Sequence, residues 1–186
     1  AVGFETYVSL LEEAIGELRG EPVVEKKEVT LQLGLPLGLP KKWIGEESLR
    51  MALYKRLATA DGIDALDVLE KEATDRYGAP PPEFRRLLAL SRLRLVALDL
   101  GVRSLQRRGA ELAVTLEKGH RLDPDRFLSA LRAKSLAASG PDSFRAPELF
   151  RGLPPDAEEV CGVAGRLLVS LARPTALSAP GLLAAF

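Results

Sequence analysis

The segment from Pro81 to Leu100 constrains the fold of this chain most, because it is apolar on more than one side of the helix that it predicts. Its large apolar residues do not keep to one stripe of a helix; they are Leu87, Leu88, Leu90, Leu93, Leu95, Val96 and Leu98. A helix that is apolar nearly all round is usually central to a core. The rest of the chain must therefore supply enough other elements to enclose it.

The segments that precede this helix predict three more helices. They span residues 4–19, Glu46–Thr59 and Gly62–Tyr77, and the first and third repeat apolar residues at helical spacing. Asp61 is placed to cap the third of them, because a carboxylate there accepts hydrogen bonds from the first turn. The four helices predict a largely helical first half.

Residues between the first and second of these helices predict a strand and a loop. Glu28–Leu33 alternates apolar and polar residues, as a half-buried strand does. The glycines and prolines of residues 34–45 predict an irregular connector. Trp43 and Ile44 are expected to fix that connector to the core.

The second half mixes short strands with helices. Its predicted elements are a hairpin of residues 103–106 and 111–116, a helix at 124–133, a strand at 143–149, a helix at 156–172 and a flexible tail at 173–186. Strands and helices do not alternate regularly, as they would in a wound parallel sheet. The sequence therefore predicts a single α+β domain, with about six helices around a small, mostly antiparallel sheet.

The composition argues against several classes of protein. Lys plus Arg and Asp plus Glu number 26 each, so the net charge is zero, whereas nucleic-acid binders usually carry a basic excess. One cysteine, Cys161, and one histidine, His120, cannot form an internal disulfide or a Cys/His zinc site. The sequence has neither a long apolar run nor a recognisable signal peptide, so we expect a cytoplasmic protein with no membrane contact.

No constellation of catalytic residues can be identified in the sequence. A phosphate loop needs a Gly-Lys pair, and none occurs. Cys161 stands in a predicted apolar helix and is expected to be buried and inert. His120 is expected to be a surface loop residue. We therefore predict no catalytic, metal-binding or cofactor-binding residue and no enzymatic activity for this chain.

The predicted third helix has two distinct faces. Leu66, Leu69, Ala73 and Tyr77 share one stripe that is expected to face the core. Glu72, Asp75 and Val68 lie roughly 120–180° from Leu66, on the opposite side. A solvated helix face is the simpler interpretation. An Arg-bearing partner is the alternative, because Arg forms bidentate pairs with carboxylates.

Four arginines lie on the apolar central helix: Arg85, Arg86, Arg92 and Arg94. They could form a basic patch for nucleic acid, which would make the chain an accessory nucleic-acid-binding domain. Alternatively, they could solvate the rim of the helix while their aliphatic stems cover apolar surface. Both interpretations remain open at this point, although the zero net charge predicts weak or no DNA binding.

Four short blocks, in a fixed order over residues 1–101, resemble the C-terminal domain of the bacterial transcription-repair coupling factor, a large ATP-driven DNA translocase. The blocks are Val2-Gly3-Phe4 with Tyr7 and residues 10–15; residues 53–58; Glu72 with Asp75-Arg76-Tyr77-Gly78 and Pro80; and Leu93-Arg94 with Ala97 and Leu100-Gly101. The resemblance implies a regulatory docking module without a motor. It also implies a linker helix from the preceding motor domain at 1–20, a C-terminal regulatory domain at 21–172 and a tail at 173–186.

The resemblance further implies a partner for the acidic face. Glu72 and Asp75 match the acidic positions of the family's E-x-x-D-R-[F/Y]-G block, and Val68 lies beside them. In the family this face docks on Arg residues of the N-terminal UvrB-like module of the same protein, which hides the surface that binds UvrA. Engagement of stalled RNA polymerase is thought to release this autoinhibition. One departure concerns the connector, where Lys41 and Lys42 stand in a region that is often acidic in the family.

Overall fold

A five-stranded sheet and five helices make up the part of the protein that the computed structural model describes, residues 28–154 and 158–173. In chain order the elements are β1 (Thr30–Gln32), α1 (Glu47–Thr59), α2 (Ile63–Tyr77), α3 (Pro82–Leu100), β2 (Val102–Arg108), β3 (Glu111–Leu116), α4 (Pro124–Arg132), β4 (Ala137–Gly140), β5 (Ser143–Ala146) and α5 (Glu159–Leu171). The predicted helix at 4–19 and residues 174–186 of the predicted tail lie outside the described residues.

The strand order of the sheet is β1-β2-β3-β5-β4. Strand β1 pairs with β2 in parallel, and the other three pairs are antiparallel. The predicted hairpin is present: Arg108 pairs with Glu111, and Gly109 turns the chain between them with φ of 63°. The prediction of an α+β fold with a small, mostly antiparallel sheet is confirmed.

Helix α3 lies at the centre of the fold, as its apolar sequence predicts. It packs against α1, α2, α5 and β2. Seven of its apolar residues are at most 1% exposed: Phe84, Leu87, Leu88, Leu93, Val96, Ala97 and Leu100. The helix starts with a proline in its first turn and ends at Gly101, whose left-handed conformation turns the chain into β2.

The connector before α1 is fixed to the core by aromatic packing and hydrogen bonds. The Trp43 ring lies 5.7 Å from that of Tyr77 and 4.9 Å from that of Phe84, centroid to centroid, and Ile44 is 1% exposed. The Tyr54 hydroxyl of α1 accepts a hydrogen bond from the backbone N–H of Leu39 at 2.6 Å. The expected role of Trp43 and Ile44 is confirmed.

Two details of the prediction are wrong. Asp61 does not cap α2, because the helix begins at Ile63 and its N-cap residue is Gly62, with no side-chain cap. The strand predicted at 143–149 ends at Ala146. The sequence also gave no sign of β4, whose residues Ala-Ala-Ser-Gly have little intrinsic strand preference. That strand forms because it pairs with β5.

Candidate functional site

Helix α2 carries the candidate site and is positioned by its inner face. Leu66, Leu69 and Ala73 are 0–3% exposed and pack into the core. Tyr77, on the same stripe, is half-buried against Trp43. Gly78 ends the helix, and its backbone N–H donates to the carbonyl of Thr74. Burial of the predicted stripe fixes which side of α2 remains available to solvent.

The opposite side of α2 presents Val68, Glu72 and Asp75, which we call the α2 outer face. Val68 is 53% exposed, and both acidic residues are exposed. The three positions follow one another at spacings of four and three residues, so neighbours lie about 5–6 Å apart between Cβ atoms. The structure thus brings the predicted site residues together on one accessible surface. Their role in docking stays a prediction.

One carboxylate of the α2 outer face already forms an ion pair with an arginine of the chain. The Arg56 guanidinium of α1 approaches Glu72, with Nη2 2.6 Å from Oε2, and the two side chains are 54% and 52% exposed. An exposed pair of this kind contributes at most about 1 kcal/mol. Sequence reasoning did not identify Arg56, because only the packing of α1 beside α2 brings these residues together. An exposed Arg within a two-helix unit is too weak a signal by itself.

Further carboxylates of α2 also differ in whether an arginine of the chain binds them. Asp67 and Glu70, on a second flank, both bind Arg92 of α3, at 2.9 and 3.0 Å. The Asp75 side chain makes no hydrogen bond or ion pair with any residue of 28–154 or 158–173. The α2 outer face therefore presents one carboxylate that an internal Arg has engaged and one that is open to a partner.

The four arginines of α3 tie the central helix to its neighbours. Arg85 donates two hydrogen bonds to Glu158, at 2.8 and 2.9 Å, and these bonds hold the pKa of Glu158 below its usual value. Arg92 reaches α2, as described above. Arg86 donates to the carbonyl of Pro36, and Arg94 donates to that of Ala60. Each guanidinium thus has an acceptor within the chain, which agrees with the interpretation of these arginines as rim residues.

The remaining candidates for chemistry are structural residues. Cys161 is fully buried in α5, and burial raises the pKa of its thiol to about 12, so little reactive thiolate forms. The half-buried His120 accepts a 3.4 Å hydrogen bond at Nδ1 from the backbone of Leu122. No group of three or more His, Cys, Asp or Glu within the described ranges could hold a metal ion. Of the helices described, none is long and apolar enough to cross a membrane.

Comparison with known proteins identifies relatives along most of the chain. The family model for the TRCF domain matches residues 33–127. The transcription-repair-coupling factor of Myxococcus xanthus is 32% identical over 151 residues, and that of Haemophilus influenzae is 28% identical over 152 residues. The matched regions cover 79% and 78% of this chain but only 13% of each relative. The chain thus spans a small part of the length of these relatives.

A solved structure shares the fold. The crystal structure of the C-terminal domain of a transcription-repair coupling factor superimposes with a TM-score of 0.65 at 18% sequence identity. The match covers 81% of this chain and 98% of that domain. The helices and the mixed sheet described above therefore correspond to a domain architecture that has been observed on its own.

Proposed function

Because the chain belongs to the TRCF-domain family of transcription-repair-coupling factors, we propose that it is a docking module that represses a larger protein of that kind. In this proposal the parent is an ATP-hydrolysing DNA translocase of the cytoplasm that removes stalled RNA polymerase and recruits excision repair. The module docks on the N-terminal UvrB-like module of the same parent. Docking masks the surface that binds UvrA, so that repair is not recruited before RNA polymerase has been engaged.

The α2 outer face is the observation that carries this proposal. It combines an exposed apolar side chain, Val68, with two exposed carboxylates, while the other side of the same helix is locked into the core. Exposed carboxylates next to a small apolar contact suit a partner that presents Arg, since a guanidinium binds a carboxylate through two parallel hydrogen bonds. The rigid support behind the face limits the entropy that is lost on docking.

The chain itself is proposed to contribute neither catalysis nor DNA binding. Its arginine-rich helix, the basis of the nucleic-acid alternative, uses its guanidinium groups to hold α2, α5 and two loops. Phosphate contacts by those groups would compete with these internal bonds. DNA binding and ATP hydrolysis are therefore assigned to other parts of the parent.

The test is calorimetric titration of this chain with the purified N-terminal module. The double variant Glu72→Ala/Asp75→Ala should weaken docking by about 2 kcal/mol or more, because removing one side of an interfacial charge pair leaves the other unpaired. Its melting temperature should barely change, since exposed substitutions usually alter stability by less than about 0.5 kcal/mol. In the full-length parent the same change should raise basal motor activity and expose the UvrA-binding surface.

The matched control removes two carboxylates elsewhere on the surface. Asp142, in the turn between β4 and β5, and Glu148, after β5, are both exposed, and Glu148 is 69% exposed in a pair with Arg151. The variant Asp142→Ala/Glu148→Ala changes the net charge equally and should dock like the wild type. Equal affinities for all three proteins would refute the assignment of the docking face.

A further inference from the structure

We infer that Arg56 acts as an internal competitor for the partner's cation, so that Asp75, rather than Glu72, is the carboxylate on which the partner first docks. This inference rests on the docking function proposed above and specifies the chemistry of the partner at that site. It assigns a role to a residue of α1, which lies outside the α2 outer face itself.

The geometry of the Arg56–Glu72 pair supports competition. The pair joins α1 to α2 through one guanidinium nitrogen, Nη2, and one carboxylate oxygen, Oε2, at 2.6 Å. Both side chains are about half exposed, at 54% and 52%, so an incoming group can reach the pair and exchange with it. A partner's Arg that binds Glu72 must either displace Arg56 or share the carboxylate with a like charge.

Displacing Arg56, or sharing a carboxylate with it, costs free energy when a partner's cation binds Glu72 but not when it binds Asp75. Two guanidinium groups around one carboxylate repel each other, and water screens this repulsion only partly at an interface that excludes solvent. Among residues 28–154 and 158–173, Asp75 has no such competitor: Lys71 precedes it by four residues, within helical reach, but no ion pair joins the two side chains. A cation approaching the α2 outer face therefore binds Asp75 without breaking an existing contact.

The unequal pairing of Glu72 and Asp75 also predicts which groups the partner presents. It should present one cation directed at Asp75 and an apolar contact for Val68, which is 53% exposed. It should not direct a second cation at Arg56. An acceptor near Arg56, such as a carbonyl or a carboxylate, would favour docking further, because it would bind the guanidinium N–H groups that Glu72 leaves unused.

Calorimetric titration with the purified N-terminal module can test the order of the two carboxylates. Asp75→Asn should weaken binding about tenfold or more, as expected for an interfacial charge pair. Glu72→Gln should weaken it by less than about threefold, because much of its charge is already compensated. Arg56→Gln should strengthen binding about two- to fivefold, the factor that corresponds to an exposed ion pair.

The double variant Arg56→Gln/Glu72→Gln completes a cycle. In the Arg56→Gln background Glu72 is released, so its removal should cost about as much as Asp75→Asn costs in the wild type. Lys55→Gln is the matched control for Arg56, because Lys55 is the exposed neighbour on α1 and carries the same charge. Its binding should equal that of the wild type.

The outcomes separate this inference from the function on which it rests. Failure of the wild-type chain to bind the module would overturn the proposed function and this inference together. Binding that is lost equally in Asp75→Asn and Glu72→Gln, and that Arg56→Gln leaves unchanged or weakens, would overturn the inference alone. The melting temperatures of all variants should stay within about 4 °C of the wild type, since every substituted side chain is exposed and the Arg56–Glu72 pair contributes at most about 1 kcal/mol.

Discussion

Replacing Gly101 by Ala should destabilise the fold strongly, because two separate costs meet at this position. Gly101 ends α3 in the left-handed region, with φ of 73°. A Cβ atom added there would also lie 2.9 Å from the Cα of His120, which is backbone and cannot rotate away. The loop is held in place, since Glu117 and Arg121 donate backbone hydrogen bonds at 2.8 and 2.9 Å to the carbonyls of Gly101 and Leu100.

A second glycine separates the conformational cost of Gly101→Ala from the cost of the close contact. Gly109, in the turn between β2 and β3, has φ of 63°, but a Cβ added there would meet no atom within 4 Å. Gly109→Ala should therefore cost only the conformational term, about 1–2 kcal/mol. Gly101→Ala adds the overpacking term, about 1–3 kcal/mol, and should cost about 2–5 kcal/mol in total.

Urea denaturation of the two variants beside the wild type measures both terms. At about 2–4 °C per kcal/mol for a domain of this size, Gly101→Ala should also melt roughly 4–20 °C below the wild type. An effect of Gly101→Ala that does not exceed that of Gly109→Ala would show that the helix–loop contact relaxes freely, and the reasoning from the close approach would then be wrong.

The two faces of α2 and the ion pair between Arg85 of α3 and Glu158, beside α5, give further predictions. Leu66→Ala should lower the free energy of unfolding by about 2–5 kcal/mol, because Leu66 is fully buried. Val68→Ala on the same helix should change it by less than about 0.5 kcal/mol. Similar losses for the two variants in urea denaturation would contradict the assignment of faces. Glu158→Gln should lower the melting temperature by about 1–3 °C at pH 7. Because the pKa of Glu158 is lowered from 4.5, this difference should be fully present above that pH and disappear as the pH falls through the lower pKa of the folded state; a difference that persists at about pH 2 would exclude the ion pair as its cause.

Local patterns in the sequence were sufficient for most of the helices. The observed bounds of α1, α2 and α3 lie within one residue of the predicted ones, because a glycine or proline lies close to both ends of each helix. The burial of Leu66, Leu69 and Ala73 and the exposure of Val68, Glu72 and Asp75 also follow from helical periodicity. Such features depend on residues close in sequence, which a local pattern can represent.

The sequence alone did not reveal features that depend on distant partners. Strand β4 has a composition that disfavours strands and is present because β5 offers a pairing edge. The arginines of α3 remained ambiguous between a basic patch and rim residues until packing placed Glu158, Asp67 and two loop carbonyls within their reach. The choice between these interpretations rests on distances that no local pattern contains.

The properties of the α2 outer face depend on both the local sequence and the tertiary structure. Helical spacing by itself determined that Glu72 and Asp75 point away from the core, and the ordered blocks of residues pointed to the family. Only the tertiary structure decided that the two carboxylates are unequal, because the packing of α1 beside α2 brings Arg56 to Glu72 and leaves Asp75 without an ion pair among the described residues. The physical reason is the range of the interactions: helical periodicity acts within a few residues, whereas a charge pair forms wherever the fold brings two side chains within a few ångströms.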